Sequence, residues 1–499
     1  SASRQAIGTG VFFGMIVAVS VGILLVPFFF VLIYKAKGKF NRKRLSGAGL
    51  ILLAAGTGLS SCQIGKSYTR PDMPLPARLD TLTQDTASIG DLSWWELYND
   101  TTLQQLIHRA LTYNKDLKIA SARMNELAAL KRVDFANMFP QATARLNGNR
   151  ETTNYGGDNF DADSELSLTA SISWELDLWG NLRWARDRST AEFLASVENC
   201  RAVKMGLVAQ VAQSYFELMA LDNELAIVRR TLEARREGVR LAEIRFKGGL
   251  TSEIVFQQAK VELAKTATMV PDLERRISLK ESEIALLTGD FPYAVNRNIL
   301  PEEIQLPNAL PLGLPSTLLE RRPDIRKAER ELMAAHAEVG LAYTNMFPRL
   351  ALTATLGTES ETLRDFLKSP YSYLVGNLLS PLFAMGKNRA ALKAKRAAYE
   401  GAVAEYEQTV LTAFKETHDA IINFNKIKDI YESRRQLAEA SRTAVELAQL
   451  QYINGVIGYL DLLDAQRNYF DAQVSLSNAV CDKQLMIINL YKALGGGWK

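Results

Sequence analysis

The sequence predicts a mixed α and β membrane protein, written twice along one chain, with very long helices and a few strands that face lipid. Three observations predict it. The tetrapeptide Asn-Met-Phe-Pro stands at residues 137–140 and again at 345–348. Proline is absent between Pro140 and Pro271 and after Pro381, so helices in those stretches meet no proline break. Residues 164–178 read SELSLTASISWELDL, an alternation with a period of two.

At the front of the chain, residues 7–34 carry no charge and are followed by the basic run KAKGKFNRKR. A run of roughly 20 apolar residues suffices to span a bilayer, and basic residues mark the cytoplasmic side. Residues 1–44 are therefore expected to form a transmembrane-like segment with a basic flank. A second signal overlaps it. Residues 39–61 give a basic region, an apolar stretch and a small-residue end, and LSSC closes on Cys62. That is the pattern of a secretory signal peptide. Residues 62–93 then form an N-terminal linker.

The body of the chain is duplicated. NKDLKIASARMNELAAL (114–130) lies over RRPDIRKAERELMAAHAEV (322–340), and DLWGNLRWARDRSTAEFLAS (177–196) over LFAMGKNRAALKAKRAAYEG (382–401). RFKGGLTSEIVFQQAKVEL (245–263) lies over QYINGVIGYLDLLDAQRNY (451–469). The offset stays at roughly 207 residues, and such self-similarity outranks local readings. Residues 94–290 form the first repeat, 291–318 a Pro-containing linker, and 319–499 the second repeat.

Within each repeat a helix of about 30 residues leads to Asn-Met-Phe-Pro. The proline ends the helix, so each tetrapeptide is read as an elbow from helix into strand. After the first elbow, Leu166, Leu168, Ala170, Ile172, Trp174, Leu176 and Leu178 share one face, and Ser167, Thr169, Ser171, Ser173, Glu175 and Asp177 the other. Apolar toward lipid and polar toward water is the signature of an outer-membrane strand. Leu350, Leu352, Ala354 and Leu356 repeat it. A fourth strand within 371–383 alternates poorly. Closing a barrel takes about eight strands, and open edges are not tolerated in lipid. Four strands per chain therefore require a barrel shared among copies. Two copies give the minimum, and three give twelve strands.

The long helices, about 181–245 and 387–450, reach ~95 Å each at 1.5 Å per residue. In the second, Val403, Tyr406, Val410, Ala413, Thr417, Ala420, Phe424, Ile427 and Tyr431 alternate spacings of three and four, a coiled-coil-type seam. Each long helix ends at a glycine-containing tip, RFKGGLTSE (245–253) and QYINGVIGYLD (451–461). Gly248, Gly249 and Gly455 permit the positive φ that such reversals require.

Enzymatic and metal chemistry find little support. His108, His336 and His418 are scattered, and there is no HExxH, Walker loop or GxGxxG. The net charge of +4 is spread along the chain, so no nucleic-acid partner is expected. No catalytic residue, cofactor or metal is expected. Cys200 and Cys481 are read as small helix residues, with a disulfide between them as the minor alternative.

Residues 62–497 resemble the TolC-like outer-membrane efflux protein family in its lipoprotein branch. The duplication, LERRPDIRKAE (319–329), the paired NMFP segments, WELDLWGNLR (174–183) and YINGVIGYLDLLDAQ (452–466) carry the resemblance. It implies a homotrimer, with twelve strands in a shared outer-membrane β-barrel and twelve long helices in a periplasmic tunnel. It also implies a periplasmic adaptor and an inner-membrane resistance-nodulation-division pump as partners, outer-membrane lipid around the barrel, and passive export of drugs or other small molecules. LSSC resembles a lipobox, which makes Cys62 the lipidated residue. Residues 5–34 resemble the last transmembrane helix of such a pump, so residues 1–61 are read as a fusion, a gene junction read through, or an extended signal.

The same resemblance places adaptor-contacting tips at Lys247, Gly248, Gly249, Asn454 and Gly455. It places a periplasmic gate at Asp461, Asp464 and Tyr452. Asp461 and Asp464 are spaced i, i+3 on one helix face, and three copies would ring six carboxylates about the axis. A latching basic residue of some family members falls at Ile457, which cannot serve. LERRPDIRKAE itself is read as structural, with Pro323 at the first helical position. Two rival classes stand beside the channel. One is a lipid-anchored coiled-coil scaffold without a pore. The other is an inner-membrane protein anchored by residues 7–34.

Overall fold

A computed structural model describes residues 63–74, 93–97, 100–153, 161–298, 315–361, 364–366, 368–381 and 383–498. The apolar segment 7–34, the signal pattern 39–61 and Cys62 lie outside the described residues. Among the described residues no helix is long and apolar enough to cross a membrane, a statement that does not bear on strands. Residues 1–63 and 64–499 form two separate units, and the described helices and strands all belong to the second.

The elements, in order, are α1 (Trp94–Leu97), α2 (Thr101–Tyr113), α3 (Lys115–Ala136), β1 (Gln141–Thr153), β2 (Asp161–Leu176), α4 (Asn181–Lys247) and α5 (Glu253–Thr288) in the first repeat. The second holds α6 (Pro315–Arg321), α7 (Pro323–Thr344), β3 (Arg349–Ser360), β4 (Pro370–Leu379), α8 (Lys387–Ile453) and α9 (Tyr459–Ala493). Apart from α1, which has no counterpart among the described residues, the duplication is thus visible element by element. Helices α4 and α8 have 67 residues each, or ~100 Å at 1.5 Å per residue.

One expectation is corrected in both repeats. The helix before each elbow is broken rather than continuous. Asn114 interrupts the first with extended backbone; its side chain accepts from the Leu117 N–H at 3.0 Å and donates to the Leu287 carbonyl at 3.0 Å. In the second repeat the break falls at Arg322, because Pro323 begins α7 and pushes its predecessor out of helical geometry. Helix α6 also begins at Pro315, inside the stretch read as linker.

Arg322 explains much of LERRPDIRKAE. Its guanidinium is buried and pairs with Asp324 at 2.7 Å and Glu416 at 2.6 Å, while also donating to the carbonyls of Ala413 and Ala493. It ties α7, α8 and the end of α9 together. Its pKa is raised: burial pushes it down, and the hydrogen bonds and charges of Asp324 and Glu416 together more than offset that. The motif is a structural clamp.

The strands form one antiparallel sheet in the order β1-β2-β3-β4. The register puts Ala142, Ile172, Ala354 and Leu374 in one row and Thr143, Ser171, Thr355 and Tyr373 in the next. On the central strands β2 and β3 the apolar row is open and the polar row more covered: Leu168 is 40% and Leu356 66% exposed, against 9% for Ser167 and 4% for Thr355. On the edge strands β1 and β4 nearly every described position is exposed. Burying polar groups while baring leucine is the reverse of a water-facing sheet, and it is what lipid requires. The poorly alternating fourth strand joins through backbone pairing with β3. Strand β2 ends at Leu176, so Leu178 leaves the sheet. The reason is Asp177, whose carboxylate accepts from the Leu182 and Arg183 N–H groups and caps α4.

Both elbows are pinned by an indole. Trp174 Nε1 donates to the Met138 carbonyl at 3.0 Å, and Trp179 Nε1 to the Pro348 carbonyl at 2.7 Å. Phe347 stacks on Trp179 at 5.2 Å. Below the elbows the seam of α8 is packed as its spacing predicts: Tyr406, Val410, Ala413, Thr417, Ala420, Phe424 and Ile427 are all buried. Leu103, Ile107, Val211, Tyr215, Leu218 and Ile284 form part of the main core. Both described cysteines are free. Cys481 lies against the Phe216 carbonyl, and burial pushes its thiol up to about 12.

Candidate functional site

The two tips close by the same backbone device. At the end of α4 the Leu250 N–H bonds the Arg245 carbonyl at 2.8 Å; at the end of α8 the Val456 N–H bonds the Gln451 carbonyl at 2.8 Å. Between them stand Gly249 at φ +71° and Gly455 at φ +74°. This is a left-handed helix ending, which a residue with a Cβ resists. Lys247, Gly248, Gly249, Asn454 and Gly455 all lie at these reversals, as expected. Each tip also holds an aromatic pair: Phe246 stacks on Phe256, and Tyr452 meets Tyr459 edge to face. Phe246 and Tyr452 occupy matching places in the repeat.

The side chains are where the tips part. Asp461 and Asp464 are both exposed on the first turns of α9. Asp461 accepts from the Gly458 N–H at 3.0 Å, so it caps the helix, and Asp464 accepts from Asn468 at 3.3 Å. Tyr452 is buried. The Arg245 guanidinium sits 4.6 Å above its ring and donates to its carbonyl at 3.3 Å. Arg245, from the first repeat, thus holds Tyr452, from the second. Ile457 takes no part.

A second bond between the repeats lies further along the same helices, and sequence reasoning missed it. Glu262 of α5 and Arg235 of α4 are paired at 2.7 Å with side chains only 6% and 8% exposed. Arg467 of α9 donates to the other carboxylate oxygen of Glu262, and Lys265 stands 3.6 Å away. The hydrogen bond from Arg467, followed by the charge of Arg235, holds the Glu262 pKa below its ordinary range against the opposing effect of burial. One buried carboxylate thus joins the α4–α5 hairpin to α9. A signal was available. Ala259, Glu262, Thr266 and Leu273 form the buried stripe of α5, as Val228, Leu232, Arg235 and Ala242 do in α4. A charge inside an apolar seam needs a partner.

Among the described residues no group of His, Cys, Asp and Glu is arranged to hold a metal ion. His108 and His418 are exposed.

The arrangement is therefore a lipid-facing sheet, two helices of 67 residues and two closed tips, each repeated once. Residues 106–290 and 314–496 match the family model of the outer membrane efflux protein. This chain belongs to the outer membrane efflux protein family. It is 31% identical to outer membrane protein OprJ of Pseudomonas aeruginosa over 92% of this chain and 97% of that one. It is 28% identical to the cation efflux system protein CusC of Escherichia coli, over 91% and 100%. Among solved structures it resembles the outer-membrane channel OprN (TM-score 0.82, 31% identity, 88% of this chain and 100% of that one). It also resembles the open state of the Neisseria gonorrhoeae MtrE outer membrane channel (0.79, 28%, 88% and 99%).

Membership turns the sheet into one chain's share of a barrel that three copies close, and the long helices into walls of the tunnel beneath it. The protein is an outer-membrane channel subunit of an efflux system, which sets aside the pore-free scaffold and the inner-membrane reading.

Proposed function

We propose that this channel is the passive exit duct for drugs or other small molecules delivered by an inner-membrane resistance-nodulation-division pump through a periplasmic adaptor. The observation that carries the reading is the matched pair of tips at the ends of α4 and α8, remote from the lipid-facing sheet by the length of a 67-residue helix. The reversals at Lys247, Gly248 and Gly249 and at Asn454 and Gly455 are the surfaces offered to the adaptor. Asp461, Asp464 and Tyr452 form the periplasmic gate, and Cys62 carries the lipid that anchors the mature N-terminus. A narrow ring of carboxylates sets cation preference and limits leak.

Planar-bilayer recording tests the gate. Replacing Asp461 and Asp464 by Ala is expected to raise single-channel conductance and weaken block by multivalent cations; unchanged conductance and block would remove both residues from it. Cross-linking from cysteines placed at Lys247 and Asn454 to a co-expressed adaptor tests the tips. Mass spectrometry of the mature N-terminus tests Cys62, and an unacylated N-terminus overturns that assignment.

A further inference from the structure

The N-terminal stretch 64–74 is a strap laid on the helices just beneath the sheet. The Ile64 N–H bonds the Trp179 carbonyl at 3.2 Å, and Trp184 Nε1 donates to the Ile64 carbonyl at 3.0 Å. Arg70 closes the strap with a two-pronged pair to Glu329 of α7, both bonds 2.7 Å. Between strap and helices lies a cavity of about 660 Å³ whose lining includes Lys66, Trp184, His336, Tyr343, Arg396 and Tyr399.

Three features of this cavity point to a ligand. The first is its face. Arg349 and Leu379 belong to the polar, barrel-interior rows of the sheet, and with Glu338, Leu341 and Asn345 they line a separate cavity. The strap cavity uses His336, Gly340 and Tyr343, which at 100° per residue lie on the opposite side of α7. It therefore opens outward, away from the lumen. The second is its height. Tyr343 is at the last turn of α7 and Trp184 at the first of α4, immediately under the elbows where the barrel begins. Aromatic residues gather at that level of a membrane.

The third is its charge. Lys66 and Arg396 are exposed at the cavity, and among the described residues neither has an ion-pair partner. His336 is ringed by Tyr68, Trp184 and Tyr399 at 5.5–5.9 Å between ring centres, and burial lowers its pKa, so it adds no charge at neutral pH. The floor is shaped by close approach: a Cβ on Gly340 would stand 2.3 Å from the Trp184 ring.

We propose that this cavity takes the headgroup of an anionic glycerophospholipid from the leaflet that meets the base of the barrel. Lys66 and Arg396 face the phosphate, and the aromatic wall faces the glycerol and the first methylenes. Basic pockets between helices at a membrane surface bind acidic lipid headgroups by this chemistry, and the volume suits a small-molecule site. The proposal rests on the barrel standing in the outer membrane.

The test is native mass spectrometry of the full-length trimer released from nanodiscs of equal parts phosphatidylglycerol and phosphatidylethanolamine. Up to three retained phosphatidylglycerol molecules per trimer are expected, enriched by roughly tenfold over phosphatidylethanolamine. Lys66→Gln with Arg396→Gln should abolish the enrichment while the trimer and its heat-modifiable migration persist, as both residues are exposed. Equal retention of the two lipids, or enrichment that survives the double variant, overturns the proposal. So does inorganic phosphate that displaces the lipid at millimolar concentration, which would reassign the site to a free anion. A chain that forms no heat-modifiable trimer would instead refute the barrel placement, so the two failures are distinct.

Discussion

The tip after α4 and the tip after α8 have nearly superimposable backbones and opposite chemistry. Gly249 and Gly455 differ by three degrees in φ, from +71° to +74°, and the closing hydrogen bond is 2.8 Å in both. Yet the first hairpin supplies the cations Arg235 and Arg245, and the second supplies Tyr452, Asp461 and Asp464. Backbone closure depends on one conformation that few residues adopt, so both copies keep it. Side-chain charge is free to diverge, and here the divergence has made each hairpin the partner of the other. Glu262 with Arg467 reverses the direction, the acid coming from the first repeat and the cation from the second.

The comparison is broken most forcefully at Glu262. Glu262→Ala strands Arg235 in a buried seam, and a loss of about 3 kcal/mol is expected, read as a lower melting temperature by scanning calorimetry. Arg467→Ala should cost about 1 kcal/mol or less, because Arg467 is half exposed and Arg235 still satisfies the carboxylate. Equal losses would contradict a clasp with one fixed and one releasable arm.

Gly249→Ala and Gly455→Ala sharpen the equality of the backbones. No atom lies within 4 Å of a Cβ built at either glycine, so the penalty is purely conformational, about 1 kcal/mol. The two variants should melt alike; a clear difference would show that the reversals are not equivalent. At the second tip, Asp461→Ala removes a cap and should lose about 0.5–1 kcal/mol. Asp464→Ala should change stability by no more than about 0.5 kcal/mol.

Acid probes the same clasp. A carboxylate whose folded pKa is depressed adds stability above its unfolded value of about 4.3, and that stability is lost as pH falls through the folded value. Glu262 is such a group. Wild-type melting temperatures should therefore fall more steeply below about pH 4 than those of Glu262→Gln. Parallel curves would assign the acid sensitivity to other carboxylates.

Much of the fold was legible in the sequence because it rests on local rules. Pro140 and Pro348 marked the elbows, the alternation of Leu166 to Leu176 marked a lipid-facing strand, and the spacing from Tyr406 to Ile427 marked the buried seam. Gly249 and Gly455 marked the reversals. What escaped depends on partners distant in the chain. Nothing near Asn114 announces that its side chain reaches the Leu287 carbonyl and breaks the helix. Nothing near Glu262 names Arg467, 205 residues later. Asp177 was counted with its strand because its alternation fits, whereas its carboxylate serves the next helix.

Among the described residues the sheet ends in two unpaired edges, β1 with 13 residues and β4 with 10. Each edge must meet the other edge of a neighbouring copy, since three chains close the barrel head to tail. A copy whose β1 edge cannot pair therefore spoils not one third of a barrel but the whole ring. In a cell making equal amounts of such a variant and the normal chain, only about one trimer in eight would be free of it. Edge-strand mutations should accordingly behave as dominant alleles, whereas lesions confined to a tip should be diluted by their normal neighbours.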